Sequence, residues 1–285
     1  MPPLFDAHLH FQFDALVPHH ATVVSDLLRT GVRAVVVNAT NEDEFPLVAS
    51  LCAQLSTPSS QLQLLPSYGI HPWDCGQRTP HWLRLLRAAL LADPRAGVGE
   101  IGLDRWIIDG VRADDPRIAG LRVAPLAEQV EVFAAQLDLA AELNRPASIH
   151  ATQAYGAALD VLRTAPRLPS SGFLLHGYGG SFEMIKPFAD LGAYFSFSAH
   201  HLIPRKADLR VQFAAAIPRE RILVETDAPA LCPAPEFRLR ELAPDAAGTE
   251  QNHPSNLVRN NAELARTMGV TPEESAALTT ANFAR

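Results

Sequence analysis

Apolar runs of strand length recur along the chain at 4–9, 33–39, 63–70, 96–103, 146–150, 172–176, 193–198 and 221–226. Between most of them the period changes. At 79–92, 123–143, 154–164 and 205–217, Leu, Ala, Val and Phe return every three or four residues, which is the spacing of an amphipathic helix. Strand then helix, repeated, predicts a parallel sheet, because a parallel pair needs a long crossover that a helix supplies. Eight such units in 285 residues predict an α/β fold, a (β/α)8 barrel of the TIM type with room for distortion, in preference to an open doubly wound sheet. The length and a hydrophobic content of 47% suffice for one large core, so 1–285 is read as a single domain. Two long segments break the pattern, 105–122 after the fourth run and 229–253 after the eighth, both rich in Pro, Asp, Arg and Gly. Because both follow strands, they belong on the C-terminal face, where barrel active sites sit, and are expected to form lids or substrate walls.

The chemistry-bearing residues fall at the ends of these runs. The first run reads Leu4-Phe5-Asp6-Ala7-His8-Leu9-His10, with two imidazoles at i and i+2 on one side of a strand. The fourth carries Glu100 inside Ala96-Gly97-Val98-Gly99-Glu100-Ile101-Gly102-Leu103-Asp104, where a buried carboxylate needs a partner. The fifth and sixth end on His150 and His176, and the eighth runs Glu225-Thr226-Asp227. Any one of these alone reads as a polar strand end. Parallel barrel strands deliver all their C-terminal ends to one rim, so His8, His10, Glu100, His150, His176 and Asp227 are predicted to converge there.

Imidazole with carboxylate and no thiolate suits Zn²⁺, Mn²⁺, Co²⁺ or Fe²⁺, whereas Mg²⁺ prefers a shell richer in oxygen. Six ligands are too many for one catalytic ion with an open position but serve two divalent ions about 3.5–4 Å apart. His71, in Tyr68-Gly69-Ile70-His71-Pro72-Trp73, ends the third run and is read as a substrate contact on the same rim. Of the other histidines, His19, His20, His81, His200, His201 and His253 are expected mostly in solvent. His200 and His201, just past the seventh run, are the two that the rim could bring to the site.

Composition narrows the function class. No 18-residue apolar stretch suits a membrane span, and the N-terminus lacks a basic segment followed by an apolar one, so a cytoplasmic protein with no membrane association is expected. Three widely spaced cysteines, Cys52, Cys75 and Cys232, suit a reducing compartment better than a disulfide framework. A net charge of -7 argues against broad coating of nucleic acid, but bound cations reverse the local field around acidic ligands and leave a phosphate substrate open.

The motifs Asp6-x-His8-x-His10, Gly69-Ile70-His71-Pro72-Trp73, Gly99-Glu100-Ile101-Gly102-Leu103-Asp104 and Glu225-Thr226-Asp227-x-Pro229 together resemble the TatD family of metal-dependent deoxyribonucleases in the amidohydrolase superfamily. Gln129 to Leu143 ahead of Arg145-Pro146, His176-Gly177-Tyr178-Gly179-Gly180, Phe195-Ser196-Phe197-Ser198 and Asn252-His253-Pro254-Ser255-Asn256-Leu257 extend the likeness over nearly the whole chain. The resemblance implies one ion on His8, His10 and Asp227, a second on His150 and His176, and Glu100 bridging them. It also implies phosphodiester hydrolysis of DNA, often from the 3′ end, so the expected partner is a DNA end or another small hydrolysable substrate, with no obligate protein partner.

Departures from the family pattern touch substrate positions. The Arg that commonly stands two residues after the fifth-strand histidine is absent, for His150 is followed by Ala151, Thr152 and Gln153. The stretch Arg105 to Arg122 is longer than usual, and His176-Gly177-Tyr178 replaces a His-Cys/Ala-Phe motif. The working expectation gives Asp227 the task of orienting or deprotonating water and Glu100 that of fixing the intermetal distance. His71 and a rim arginine such as Arg105 would stabilise developing charge. The alternative is an amidohydrolase-like hydrolase of a small ester, lactone or amide; a non-catalytic scaffold fits poorly with six complete ligand positions.

Overall fold

Eight parallel strands pair in strict sequence order: β1 (Leu4–Leu9), β2 (Val32–Asn38), β3 (Gln63–Tyr68), β4 (Gly97–Asp104), β5 (Ala147–Thr152), β6 (Phe173–Leu175), β7 (Ala193–Phe197) and β8 (Ile222–Val224). The computed structural model describes residues 2–56, 61–112, 114–245 and 247–285; the two long segments expected at 105–122 and 229–253 each include one residue outside this set, 113 and 246. The helices are α1 (His20–Arg29), α2 (Glu44–Leu55), α3 (Trp82–Ala92), α4 (Trp106–Asp109), α5 (Leu126–Leu143), α6 (Tyr155–Thr164), α7 (Phe182–Asp190), α8 (Ala207–Ala216), α9 (Leu257–Met268) and α10 (Pro272–Phe283). This is the expected (β/α)8 barrel, and every apolar run overlaps a strand. The 105–122 segment is not wholly irregular, because α4 and a 3-10 turn at Pro116–Ile118 lie within it.

The main core lies between the outer faces of the strands and the helices. Val35, Val37, Val98, Ile101 and Ile149 meet Phe133, Leu137, Leu162, Phe188 and Phe213 there, all essentially inaccessible. Each such side chain contributes about 1.5–3 kcal/mol through burial, which is why short β-branched strands hold their place. Inside the barrel a smaller layer of Ala7, Leu174 and Leu223 packs with Tyr194 and Phe283. A cavity of about 330 Å³ opens beneath it, lined by Ser67, Ser148, Leu174 and Leu223 among others.

β8 and β1 do not form a ladder; the barrel closes at that seam through the chain that follows β8. The Asp227 N–H donates to the His8 carbonyl (2.9 Å), and the His10 N–H to the Ala228 carbonyl (2.7 Å). The buried Asp6 carboxylate accepts from both the N–H and the O–H of Thr226 (3.0 and 2.6 Å). Outside the seam lies α10, begun by a Thr271/Glu274 capping box. Its Asn282 donates to the Ile222 carbonyl (2.8 Å), and its Phe283 packs edge-on against Phe5.

Candidate metal centre

The register of β1 against β2 shifts twice, between Leu4 and Phe5 and between Asp6 and Leu9. His8 and His10 both turn to the C-terminal mouth, where their Nε2 atoms lie 3.4 Å apart. Glu100 Oε2 is 3.3 Å from His8 Nε2 and 3.2 Å from His10 Nε2, while Asp227 Oδ1 is 3.8 and 3.4 Å from the same two atoms. The other Glu100 oxygen faces three further imidazoles: His176 Nε2 at 2.7 Å, His150 Nδ1 at 2.9 Å and His71 Nε2 at 3.4 Å. One buried carboxylate thus stands at the focus of five histidines. Three overlapping sets keep their ligand atoms within 4.8 Å of one another: His8, His10 and Asp227; His8, Glu100 and His176; and His71, Glu100 and His150.

The outward nitrogens of His8, His10 and His150 are hydrogen-bonded, which fixes the inward ones. His10 Nδ1–H donates to the Asn38 carbonyl (2.8 Å), and His8 Nδ1 pairs with Ser148 Oγ (2.8 Å). His150 Nε2 meets Asp104 Oδ2 (3.0 Å), and His176 Nδ1 faces Glu225 Oε1 (3.5 Å). Asp104 also accepts from the Trp73 indole (2.8 Å) and from the Ile107 N–H (3.1 Å), which starts α4. Two buried glutamines of α5 pin the strand ends beneath: Gln136 spans the N–H and carbonyl of Ile70 (2.7 and 3.1 Å), and Gln129 those of Asp104 (2.8 and 3.2 Å). Gly102 adopts φ +135°, and a Cβ there would stand 2.0 Å from the His150 carbonyl, so only glycine lets β4 approach β5 beside that ligand.

Charge is dense and mutually balanced. Burial alone would pull His10 down, but Asp227 and Glu100 carry it up to about 10; burial likewise opposes His150, which Asp104 and Glu100 lift to about 9. His176 is raised against its burial by Glu100 and Glu225. Burial, reinforced by the neighbouring His176, lowers His8, and burial lowers His71. Burial would raise Glu100 and Asp227, yet the facing imidazoles hold both carboxyls below the usual range. Protons shared among nitrogen and oxygen lone pairs in this way are what a divalent cation displaces, and the donor set of imidazole and carboxylate without thiolate suits such an ion.

The six residues read as ligands are all brought together, and His71 joins them at Glu100 rather than standing apart as a substrate contact alone. Arg105 is not drawn in: its guanidinium is exposed and pairs with Asp109 (2.7 Å). The expectation that the remaining histidines lie mostly in solvent is corrected. His201 and His253 are buried, and of the six only His81 is fully exposed. His201 accepts the Ser198 N–H at Nδ1 (3.1 Å) and donates from Nε2 to the Tyr178 carbonyl (2.9 Å), a structural role that explains its burial. Residue type alone does not mark Asp104 and Glu225 as supports; they stand four residues after Glu100 and two before Asp227.

A histidine- and carboxylate-lined focus at the C-terminal mouth of a (β/α)8 barrel defines the class as a metal-dependent hydrolase. The TatD related DNase family matches residues 5–285, and the chain belongs to that family. The 3'-5' ssDNA/RNA exonuclease TatD of Citrobacter koseri is 28% identical over 284 residues, covering 98% of this chain and 96% of its own. An uncharacterized metal-dependent hydrolase, YcfH of Escherichia coli strain K12, is 31% identical over 220 residues, 77% of this chain and 72% of its own. Among solved structures, the TatD homologue YJJV from Escherichia coli K12 superposes with a TM-score of 0.79 at 24% identity, covering 98% of this chain and 95% of that one. A TatD family hydrolase from Entamoeba histolytica reaches the same TM-score at 14% identity, covering 99% and 97%, and these two likenesses speak to the fold. The protein is a TatD-type hydrolase.

Proposed function

We propose that this chain is a single-domain exonuclease that removes nucleotides from the 3′ end of single-stranded nucleic acid, with two divalent ions per chain. The observation that carries this reading is Glu100, whose two oxygens are divided between His8 and His10 on one side and His150 and His176 on the other. That division supports one ion on His8, His10 and Asp227, a second on His150 and His176, and Glu100 as the ligand common to both. Such ions polarise a phosphoryl oxygen and lower the pKa of water. Asp227 orients the attacking water and takes its proton as the new oxygen–phosphorus bond forms and the bond to the leaving 3′ oxygen breaks, that oxygen taking a proton from solvent to become the new 3′-hydroxyl. His71, within reach of Glu100, steadies charge that develops on the phosphoryl group.

Among the described residues no helix is long and apolar enough to cross a membrane, and Cys52, Cys75 and Cys232 are all unpaired, which suits action in the reducing cytoplasm. Incubation of the metal-loaded protein with 5′-labelled single-stranded DNA should yield a ladder shortening from the 3′ end, abolished by chelator. A protein that leaves every oligonucleotide intact while turning over a panel of esters, lactones or amides would overturn the proposal.

A further inference from the structure

The long 105–122 segment, which the hydrolytic centre itself does not use, builds an aromatic surface against that centre. Trp106, the first residue of α4, lies against Trp73 with ring centroids 5.8 Å apart and planes inclined by 22°. The Arg117 guanidinium stands over both rings, 4.8 Å from Trp106 and 6.0 Å from Trp73. Asp115 holds that guanidinium through two bonds, 2.9 Å from Nε and 2.6 Å from Nη2. Gly110 gives Trp106 its place, because a Cβ there would stand 2.5 Å from the indole. Both indoles are half-buried and Arg117 is exposed, so the assembly faces solvent on one side. On the other side the Trp73 indole N–H donates to Asp104 Oδ2, the oxygen that also meets His150 (2.8 and 3.0 Å).

We infer that Trp73, Trp106 and Arg117 form a docking platform for a nucleobase of the substrate; this rests on the exonuclease reading above. The Asp104 carboxylate links Trp73 to His150, so a strand with its scissile phosphate at the centre brings a neighbouring base to the indoles. Aromatic rings and a planar guanidinium are the two surfaces on which unpaired bases stack, and neither selects strongly among bases, as trimming of ends of any sequence requires. Asp115 neutralises much of the Arg117 charge, which points to use of its plane more than its charge. The platform also answers the absence of an arginine after His150: grip on the strand comes from a base beside the scissile phosphate.

The test compares two oligonucleotides that differ only in an abasic residue, placed at the 3′ end or one position before it. For the wild type, KM should rise roughly tenfold at one of these positions with kcat little changed, the scale of one lost base–aromatic stack. Trp106→Ala and Arg117→Ala should raise KM on the intact oligonucleotide by a similar factor and remove the further penalty for the abasic one, while Trp106→Phe retains most of the discrimination. Equal penalties on intact and abasic substrates, or none, would reduce the stack to loop packing and overturn the inference. A second readout separates it from the hydrolytic reading. In chelator, an uncleaved oligonucleotide should quench the indole fluorescence of the wild type, and less so that of Trp106→Ala. Absence of quenching overturns the platform whatever the hydrolysis assays give, whereas quenching without hydrolysis overturns the exonuclease reading alone.

Discussion

Two layers inside the barrel are built from the same strands, two residues apart, and serve opposite ends. In the lower layer Ser148 of β5, Leu174 of β6 and Leu223 of β8 line an apolar cavity. Two positions further on stand His150 and, just past the ends of β6 and β8, His176 and Glu225, members or supports of the histidine focus around Glu100. A step of two keeps a side chain on the same face of a strand, so the backbone cannot be what separates packing from chemistry. The separation comes from position along the barrel axis. Loops converge at the C-terminal end and bring polar partners to it, while α10 covers the N-terminal side with Phe283. Stability and activity should accordingly be separable by substitutions two residues apart.

The hardest test of that separation is Glu100→Gln. Replacing a support for a metal-binding histidine costs roughly 10–100-fold, so loss of the carboxylate at the focus of five imidazoles should lower turnover by more than about 100-fold with circular dichroism unchanged. Near-wild-type turnover at full metal occupancy, checked by elemental analysis, would contradict it. Asp104→Asn should follow at roughly 10–100-fold in metal affinity or turnover, since it weakens the hold on His150. In the lower layer, Leu223→Ala should instead cost about 2 kcal/mol in urea unfolding and leave kcat alone; the existing cavity beside it keeps the loss at the small end of the range.

The last effect is a pH dependence and concerns His201, outside both layers. Burial, with the neighbouring His200, pushes it down to about 3. A histidine depressed on folding contributes stability that is complete above its unfolded value near 6.5 and lost as pH falls towards the folded value. The stability advantage of the wild type over His201→Asn should therefore shrink by about 1.4 kcal/mol per pH unit below pH 6.5. A difference that is flat between pH 7 and pH 4 would show that His201 is protonated in the fold.

The strand pattern carried the architecture because parallel barrel strands, buried on both faces, announce themselves as unbroken apolar runs. The ligands were legible for a related reason: His150 and His176 end such runs, and Glu100 interrupts one. What escaped was the layer of supports. Asp104 and Glu225 look like any strand-end carboxylate until the ring nitrogens opposite them are placed, and a sequence contains no ring orientations. Arg105 failed as a candidate because a local partner four residues on, Asp109, competes for it on the first turn of a helix. His201 and His253 escaped because their partners are backbone groups of the adjacent turn, Ser198 N–H and Ser255 N–H, and such caps leave little trace in residue type.

The seam between β8 and β1 gives the protein an order of assembly. His8 and His10 leave the ribosome more than two hundred residues ahead of Asp227, whose N–H closes the barrel onto His8. A nascent or prematurely terminated chain carries imidazoles without the carboxylate that faces them and a barrel without its closing bonds. The cluster around Glu100 is thus complete only when translation has passed the eighth strand.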